Sequence, residues 1–294
     1  MIAARKIAVI LSVCILLTTS PSYAGKVTVI ASIAPLADFV RQVGGERVDV
    51  KLLLPPGASP HTFEPTPRIV KEVSTADLFV KIGAGLEFWA EKILQASGNK
   101  RLTVVDSSSG VALIQHTDEH DIHEVGGVDP HIWLDPSIAI SIVSKIEKAL
   151  SQVDPQGAAF YKKNAAEYKR KLSALDKDIA SRVRTFRTKE FVTFHPAWNY
   201  FSKRYGLRVS GVIEEAPGKE PSPRHIATII REIKQTGSNV VFVEPQFNPK
   251  IGEVIAKEAN AKVLYLDPIG GKDPRKTYIE MMRYNINAME KAMK

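Results

Sequence analysis

Cysteine is almost absent from this chain of 294 residues, which contains a single one, Cys14. That residue lies inside an apolar segment at the amino terminus, which we expect to be removed from the mature protein. Without it the mature chain has no thiolate ligand for a metal and no disulfide. In an oxidising compartment its stability must therefore come from the hydrophobic core alone.

A hydrophobic run long enough to span a membrane is also missing. Residues 1–24 combine a basic start (Arg5 and Lys6), a short apolar run and a small-x-small end at Ala24. This pattern predicts a cleaved signal peptide, because the apolar run is too short for a transmembrane helix. Cys14 follows a valine, whereas a lipobox would have a small residue there. We therefore expect an exported protein with no membrane insertion after cleavage.

The chain lacks a strong charge excess and lacks two common catalytic motifs. Its net charge is +8 and falls to about +6 without the signal peptide, with 38 basic against 32 acidic residues. This modest excess, together with export, argues against a nucleic-acid partner. Neither the HExxH motif of zinc proteases nor a GxSxG nucleophile elbow occurs.

Short runs rich in β-branched and aromatic residues alternate with helical patterns along the mature chain. The predicted strands are 27–32, 48–54, 78–83, 102–108, 190–194, 207–213, 239–245 and 262–268. Strands that alternate with helices over short connections predict parallel sheets covered on both faces. The predicted fold class is α/β, with two halves that share this architecture.

One predicted helix, over residues 155–187, is longer than a crossover between neighbouring strands requires. Its apolar residues recur at steps of three and four, and no proline or glycine interrupts it after Gly157. Roughly 28 helical residues extend about 40 Å, so we expect a rigid connection between two lobes. The predicted division is a signal peptide at 1–24, an N-terminal lobe at 25–153, a connecting helix at 154–187 and a C-terminal lobe at 188–294.

Four residues able to bind a metal lie at the ends of predicted strands or in the loops that follow them. His61 and His131 belong to the first half and His195 and Asp267 to the second, at successive separations of 70, 64 and 72 residues. Ligands of open α/β sheets gather at the carboxyl ends of the strands. A single histidine there is more often hydrogen-bonded than metal-bound, but the joint placement favours a shared site. Three imidazoles and a carboxylate suit tetrahedral Zn²⁺, with Mn²⁺ possible at a higher coordination number.

Six segments around these residues closely resemble one protein family, the cluster A-I metal-binding receptors of ABC importers, of the ZnuA and TroA type. The segments are LLPPGASPHTFEPTP, DPHIWLDP, TFHPAWNYFSKRYGL, GVIEEAPGKEPSP, VFVEPQF and VLYLDPIG. They occur in the family's order and cover essentially the whole mature chain. The resemblance implies two (βα) lobes joined by one long helix, with a metal between them and ligands at His61, His131, His195 and Asp267. It further implies a periplasmic monomer that passes its metal to the permease subunit of an ABC importer.

The third ligand bears on the choice of metal. Manganese members of the family carry a glutamate in this setting, whereas this chain has His195, and a third imidazole favours Zn²⁺ over Mn²⁺. Some zinc members also have a glutamate directly before the first histidine, where this chain has Pro60. The expected fourth ligand is therefore Asp267, with water as the alternative.

A short acidic loop before the DPH motif holds three further histidines, His116, His120 and His123. Zinc members of the family carry a histidine-rich loop there. The loop either captures metal weakly or is a solvated loop that does not bind metal. The residues do not distinguish these two interpretations. Glu244 ends another predicted strand, and we expect it to accept the second ring N–H of a ligating histidine.

The leading prediction is a Zn²⁺ receptor without enzymatic activity. A Mn²⁺ or mixed Zn²⁺/Mn²⁺ receptor of the same fold is the first alternative. A zinc hydrolase outside the cytoplasm is less well supported, because catalytic zinc keeps three protein ligands and an open water position. Four predicted protein ligands fill that shell.

Overall fold

The computed structural model describes residues 25–115, 127–215, 218–236 and 240–294. They form two lobes, each built on a four-stranded parallel sheet with helices packed against it. The predicted α/β class with two parallel-sheet lobes is confirmed. None of the described helices combines the length and the apolar composition that crossing a bilayer requires.

The described part of the N-terminal lobe contains four strands and four α-helices. They are β1 (Val27–Ala31), α1 (Ala34–Gly44), β2 (Val48–Leu52), α2 (Pro67–Ser74), β3 (Leu78–Lys81), α3 (Ala90–Ser97), β4 (Thr103–Asp106) and α4 (Pro136–Val153). The strand order is β2-β1-β3-β4, and β1 pairs with β2 and β3. Successive side chains of β1 face opposite sides of the sheet, so Val29 and Ile30 enter separate apolar clusters. Both faces are therefore covered, as a parallel sheet requires.

The C-terminal lobe repeats this plan after a long connecting helix. The elements are α5 (Ala158–Arg184), β5 (Glu190–Thr193), α6 (Asn199–Tyr205), β6 (Arg208–Val212), α7 (Pro223–Thr236), β7 (Val240–Val243), α8 (Lys250–Ala259), β8 (Lys262–Tyr265) and α9 (Tyr278–Met293). The strand order is β6-β5-β7-β8. Phe191 and Val192 of β5 again face opposite apolar clusters.

Helix α4 is absent from the predicted elements, although it has 18 residues and packs extensively against α5. Its start carries strong local signals. The side chain of Asp135 caps it by accepting the N–H of Ser137 at 2.7 Å, and Pro136 occupies the first turn, where a missing N–H costs nothing. Helix α4 therefore supplies the hydrophobic support on which the connecting helix lies.

The connecting helix α5 runs for 27 residues, which confirms one long helix between the two sheets. It contacts both lobes through polar groups as well as apolar ones. Tyr168 donates to Asp38 of α1 at 2.9 Å, while Asp176 accepts from Arg204 of α6 at 2.6 Å. A single apolar core includes residues of α5 and of both lobes. The residue limits of the lobes given above stay a prediction.

The lobes also contact each other directly, through hydrogen bonds beside the loops that carry candidate ligands. The indole N–H of Trp133 donates to the carbonyl oxygen of Pro268 at 2.7 Å. In return the hydroxyl of Tyr278 donates to the carbonyl oxygen of Trp133 at 2.8 Å, and the Tyr278 N–H donates to Asp38 at 3.0 Å. All four residues are buried, so these bonds hold the lobes in one relative arrangement.

Candidate metal centre

His61 lies in the loop between β2 and α2, where a short turn orients it. Its backbone N–H donates to the hydroxyl oxygen of Ser59 at 3.3 Å. Ser59 and Pro60 are buried, whereas His61 keeps part of its surface exposed. The loop thus presents one imidazole at the edge of the site that faces solvent.

His131 follows β4 at the end of a long connection and is almost fully buried. The carboxylate of Asp129 accepts both its backbone N–H, at 2.9 Å, and its ring Nδ1–H, at 2.8 Å. Because an ionised carboxylate only accepts, this contact places the ring proton on Nδ1 and leaves the lone pair on Nε2. The ring of Trp133, 5.3 Å away between centroids, packs beside it.

His195 comes two residues after the end of β5, and Glu244 comes directly after β7, the neighbouring strand. Both carboxylate oxygens of Glu244 lie 2.8 Å from Nδ1 of His195. The two side chains are buried. Glu244 thus lies against a candidate ligand and leaves Nε2 of His195 available to a metal. Its role as the acceptor for a ligating histidine stays a prediction.

The three imidazoles converge through their Nε2 atoms. Nε2 of His131 lies 3.1 Å from that of His61 and 3.2 Å from that of His195. Tetrahedral ligands at a Zn–N distance of about 2.0–2.1 Å are about 3.3 Å apart, close to these separations. Among the residues that the structure describes, this trio is the only group of three or more such side chains positioned to hold a metal ion.

The electrostatics of the trio favour the neutral imidazole that metals bind. Desolvation within the site lowers the pKa of His61 well below its ordinary value, and the nearby rings of His131 and His195 lower it further. A neutral ring offers a lone pair, whereas a protonated ring repels a cation. The site is therefore prepared for a metal without the cost of releasing a proton from His61 near neutral pH.

Asp267, the fourth predicted ligand, is not among the converging groups. It is buried two residues beyond β8, and each carboxylate oxygen already has partners. Oδ2 accepts from Arg275 at 2.6 Å, while Oδ1 accepts from Gln246 at 2.8 Å and from the N–H groups of Ile269 and Gly270 at 3.1 and 2.9 Å. Coordination of a metal by Asp267 stays a prediction, and it requires Asp267 to exchange such partners for the ion.

Three residues around the site were not singled out from the sequence: Asp129, Gln246 and Arg275. The Asp-Pro-His spacing of residues 129–131 was the available signal for Asp129, since it sets a carboxylate beside the following imidazole. Gln246 lies within VFVEPQF, two residues beyond Glu244. No sequence signal identifies Arg275 as the partner of Asp267, because that contact depends on how the loop after β8 folds back.

The cavity at the trio is small and has walls from both lobes. It is lined by Ser59, Pro60, His61, His131, His195, Glu244, Gln246, Phe247, Pro268 and Ile269. The space that the centre of a water molecule can occupy is about 10 Å³. That is room for an ion or about one water, and far less than the several hundred cubic ångströms of a pocket for an organic ligand.

The auxiliary histidines His116, His120 and His123 lie outside the described residues, and so does the predicted signal peptide at 1–24. The two readings of the acidic loop therefore remain as the sequence leaves them.

Comparison with known proteins identifies the family. The sequence profile described as "ZnuA: Zinc-uptake complex component A periplasmic" matches residues 29–292. The chain belongs to this zinc-uptake component A family. The resemblance read from the six sequence segments is thereby confirmed.

Relatives of the component A family match at similar levels. The "Zinc-binding protein AdcA" of Streptococcus pyogenes serotype M3 is 31% identical over 286 residues, which cover 90% of this chain and 56% of that protein. The "High-affinity zinc uptake system protein ZnuA" of Bacillus subtilis is 29% identical over 289 residues, covering 94% and 90%. A solved structure described as "Crystal structure of ZnuA" superposes with a TM-score of 0.82 at 30% identity, covering 91% and 99%. The chain thus spans about half the length of the AdcA proteins that it matches.

Proposed function

We propose that this protein is a Zn²⁺ receptor outside the cytoplasm that delivers the ion to the permease of an ABC importer. The observation that carries the proposal is the convergence of three imidazole Nε2 atoms at 3.1 and 3.2 Å. Carboxylates orient two of these rings from behind, which raises their basicity and fixes the tautomer that binds a metal. The names of the relatives, which describe zinc binding and zinc uptake, support the same conclusion.

Zinc is the cargo that the donor set favours. Three nitrogen ligands suit Zn²⁺, whereas Mn²⁺ is better served by carboxylate, carbonyl and water oxygens. His61, His131 and His195 are the proposed protein ligands, and Asp267 or water supplies the remaining position. A Mn²⁺ receptor of the same fold remains the alternative. Measuring how Zn²⁺ and Mn²⁺ compete for the site distinguishes the two.

A hydrolase is the weaker proposal for this geometry. A catalytic zinc needs space for its substrate beside the metal-bound water. The room of about 10 Å³ beside the imidazoles supports an ion-binding role instead. We therefore expect no turnover of ester, peptide or phosphate substrates by the zinc-loaded protein.

Binding and release follow from ligands contributed by two lobes. His61 and His131 come from the N-terminal lobe and His195 from the C-terminal lobe, so a displacement of about an ångström between them is enough to break the trio. The hydrogen bonds between Trp133, Pro268 and Tyr278 oppose a wide opening. We infer that the lobes move little and that the permease drives release by a small displacement.

Location and assembly complete the proposal. Residues 1–24 direct export and are cleaved, and the mature protein is a periplasmic monomer without nucleic-acid partners. His116, His120 and His123 are proposed as a weak capture site for metal ahead of the buried trio. Fractionation of cells that produce the full chain, with intact-mass measurement of the mature protein, tests the export and the cleavage.

The central test is zinc titration of untagged protein, with His61→Ala, His131→Ala and His195→Ala compared with wild type. Each substitution is expected to lower zinc affinity by more than roughly 100-fold, beyond the effect of removing an outer hydrogen-bond partner. His225→Ala is the matched control, because His225 lies outside the trio and bonds the carbonyl oxygen of Val212. Wild-type protein that binds no zinc, or that exchanges Zn²⁺ for Mn²⁺ at equal concentrations, would overturn the proposal.

A further inference from the structure

Gln246 is a polar residue of the cavity. Neither the sequence motifs nor the three imidazoles assign it a role. It follows β7 by three residues, and its side chain lines the same small cavity as His61, His131 and His195. It is only partly exposed as a residue. Gln246 therefore belongs to the wall of a space shared with the candidate metal ligands.

The orientation of this amide is settled by its neighbour. Nε2 of Gln246 donates to Oδ1 of Asp267 at 2.8 Å. Because a carboxylate can only accept, the NH₂ group must be the end that faces Asp267. The carbonyl oxygen Oε1 then points away from Asp267.

Oε1 of Gln246 is buried and accepts no hydrogen bond from the residues that the structure describes. Buried carbonyl oxygens in native proteins nearly always have a donor. Within this cavity the available space accommodates an ion or about one water. A water that enters the cavity with the metal would supply the donor that this oxygen lacks.

Asp267 is in the opposite situation. Its two oxygens accept four hydrogen bonds, and Arg275 balances its charge at 2.6 Å. Moving this carboxylate onto a metal separates it from at least part of that set. Of these two residues, Gln246 is the one with an oxygen that lacks a donor among the described residues.

We propose that the bound Zn²⁺ keeps one water as its fourth ligand and that Oε1 of Gln246 accepts a hydrogen bond from that water. Asp267 acts as the positioning residue, because it holds the amide of Gln246 in the orientation that presents Oε1. This inference rests on the proposed function of zinc reception and adds how the shell is completed. A water in the shell also suits a receptor, since a neutral, exchangeable ligand leaves more readily than a carboxylate when the ion is handed over.

The test compares Gln246→Met with Gln156→Met in the full mature chain. Methionine keeps the length of the side chain and removes the amide oxygen, and Gln156 is an exposed residue before α5. Zinc affinity is measured by competition with a chromophoric chelator, and thermal unfolding of the metal-free proteins checks their folding. We expect roughly 10–100-fold weaker zinc binding for Gln246→Met, the range of outer hydrogen-bond partners, and no change for Gln156→Met.

Cobalt substitution and a double variant separate this role from a direct Asp267 ligand. Replacing Zn²⁺ by Co²⁺ gives a visible spectrum that reports the ligands, and Gln246→Met is expected to change it. Asp267→Asn is then measured alone and in the Gln246→Met background. If Asp267 acts through Gln246, the zinc affinity of the double variant is no lower than that of the single variant with the lower affinity.

Each contrary outcome refutes a different part of the proposal. Folded Gln246→Met with wild-type zinc affinity and an unchanged cobalt spectrum refutes the role of Gln246 while leaving zinc reception intact. Losses that multiply in the double variant refute the positioning role and favour Asp267 as a ligand. Wild type and Gln156→Met that both fail to bind zinc refute the proposed function itself.

Discussion

Replacing Glu244 by glutamine tests how far the buried carboxylate behind His195 supports the metal. Both oxygens of Glu244 lie 2.8 Å from Nδ1 of His195, and the residue is 1% exposed. Glutamine keeps the shape and one acceptor oxygen but removes the negative charge. The substitution therefore isolates the electrostatic contribution of Glu244 from its packing.

The magnitude follows from the geometry. A carboxylate oxygen 2.8 Å behind the ring lies about 6.5 Å from a zinc bound to Nε2, given a Zn–N distance of about 2.0–2.1 Å. Zinc shares part of its charge with its ligands, so we count it at half strength, as about +1. At an effective dielectric constant of about 20, its attraction to the one negative charge of Glu244 is about 2.5 kcal/mol. This corresponds to a loss of roughly 60-fold in zinc affinity. It falls within the range of about 10–100-fold observed for outer partners of metal-binding histidines.

Competition with a chromophoric zinc chelator at pH 7 measures this loss directly. Glu258→Gln is the control, because Glu258 is exposed near the end of α8, away from the cavity lining. It is expected to bind zinc as wild type does. A well-folded Glu244→Gln protein whose affinity stays within twofold of wild type would refute the reasoning, since the buried charge would then contribute nothing to the site.

Two further predictions concern stability. Burial would raise the pKa of Asp154, but hydrogen bonds from Tyr161 and Arg47 outweigh it and lower the pKa. That stabilisation is complete above the unfolded pKa of about 3.9 and is lost as pH falls through the lower folded pKa. Asp154→Asn is thus expected to lower the Tm at pH 7, with a smaller difference below about pH 4 in thermal unfolding followed by circular dichroism. Trp133→Phe removes the donor to the carbonyl oxygen of Pro268 and is expected to cost about 1–3 kcal/mol in urea unfolding, because that buried oxygen loses its partner.

Each stability prediction has its own contradicting result. If the difference in Tm between Asp154→Asn and wild type is the same at pH 3 and pH 7, the ionised carboxylate is not the source of the stabilisation. If Trp133→Phe unfolds at the urea concentration of wild type, the contact between the lobes carries no measurable free energy.

Local sequence signals predict the connecting helix α5, and signals of the same kind mark helix α4 beside it. The uninterrupted three- and four-residue steps around Leu172 and Ile179 predict α5, and both residues are fully or almost fully buried. Helix α4 has equally clear signals in Asp135 and Pro136. Its buried residues Ile142, Ile146 and Ala149 also recur at steps of three and four, so the sequence contains enough information for this helix as well.

At the candidate site, strand ends predicted which elements meet but not which atoms do. Ligands of α/β sheets gather at the carboxyl ends of the strands, which lie at one edge of each sheet. This rule predicts that His61, His131 and His195 lie close together. The same rule places Asp267 near that edge. It cannot show that Arg275, eight residues later in an irregular loop, binds the carboxylate, since such a contact depends on side-chain directions that no periodicity encodes.

The hydrogen bond from Trp133 to the other lobe has a consequence for anyone who wants to build a zinc sensor from this protein. Fluorophores attached to the two lobes are expected to report little, because the hydrogen bond at Trp133 and the core shared along α5 oppose a change in their separation. The indole itself is the better reporter. Its ring lies 5.3 Å from that of His131, so we expect the arrival of a cation to alter its emission without any large movement of the chain.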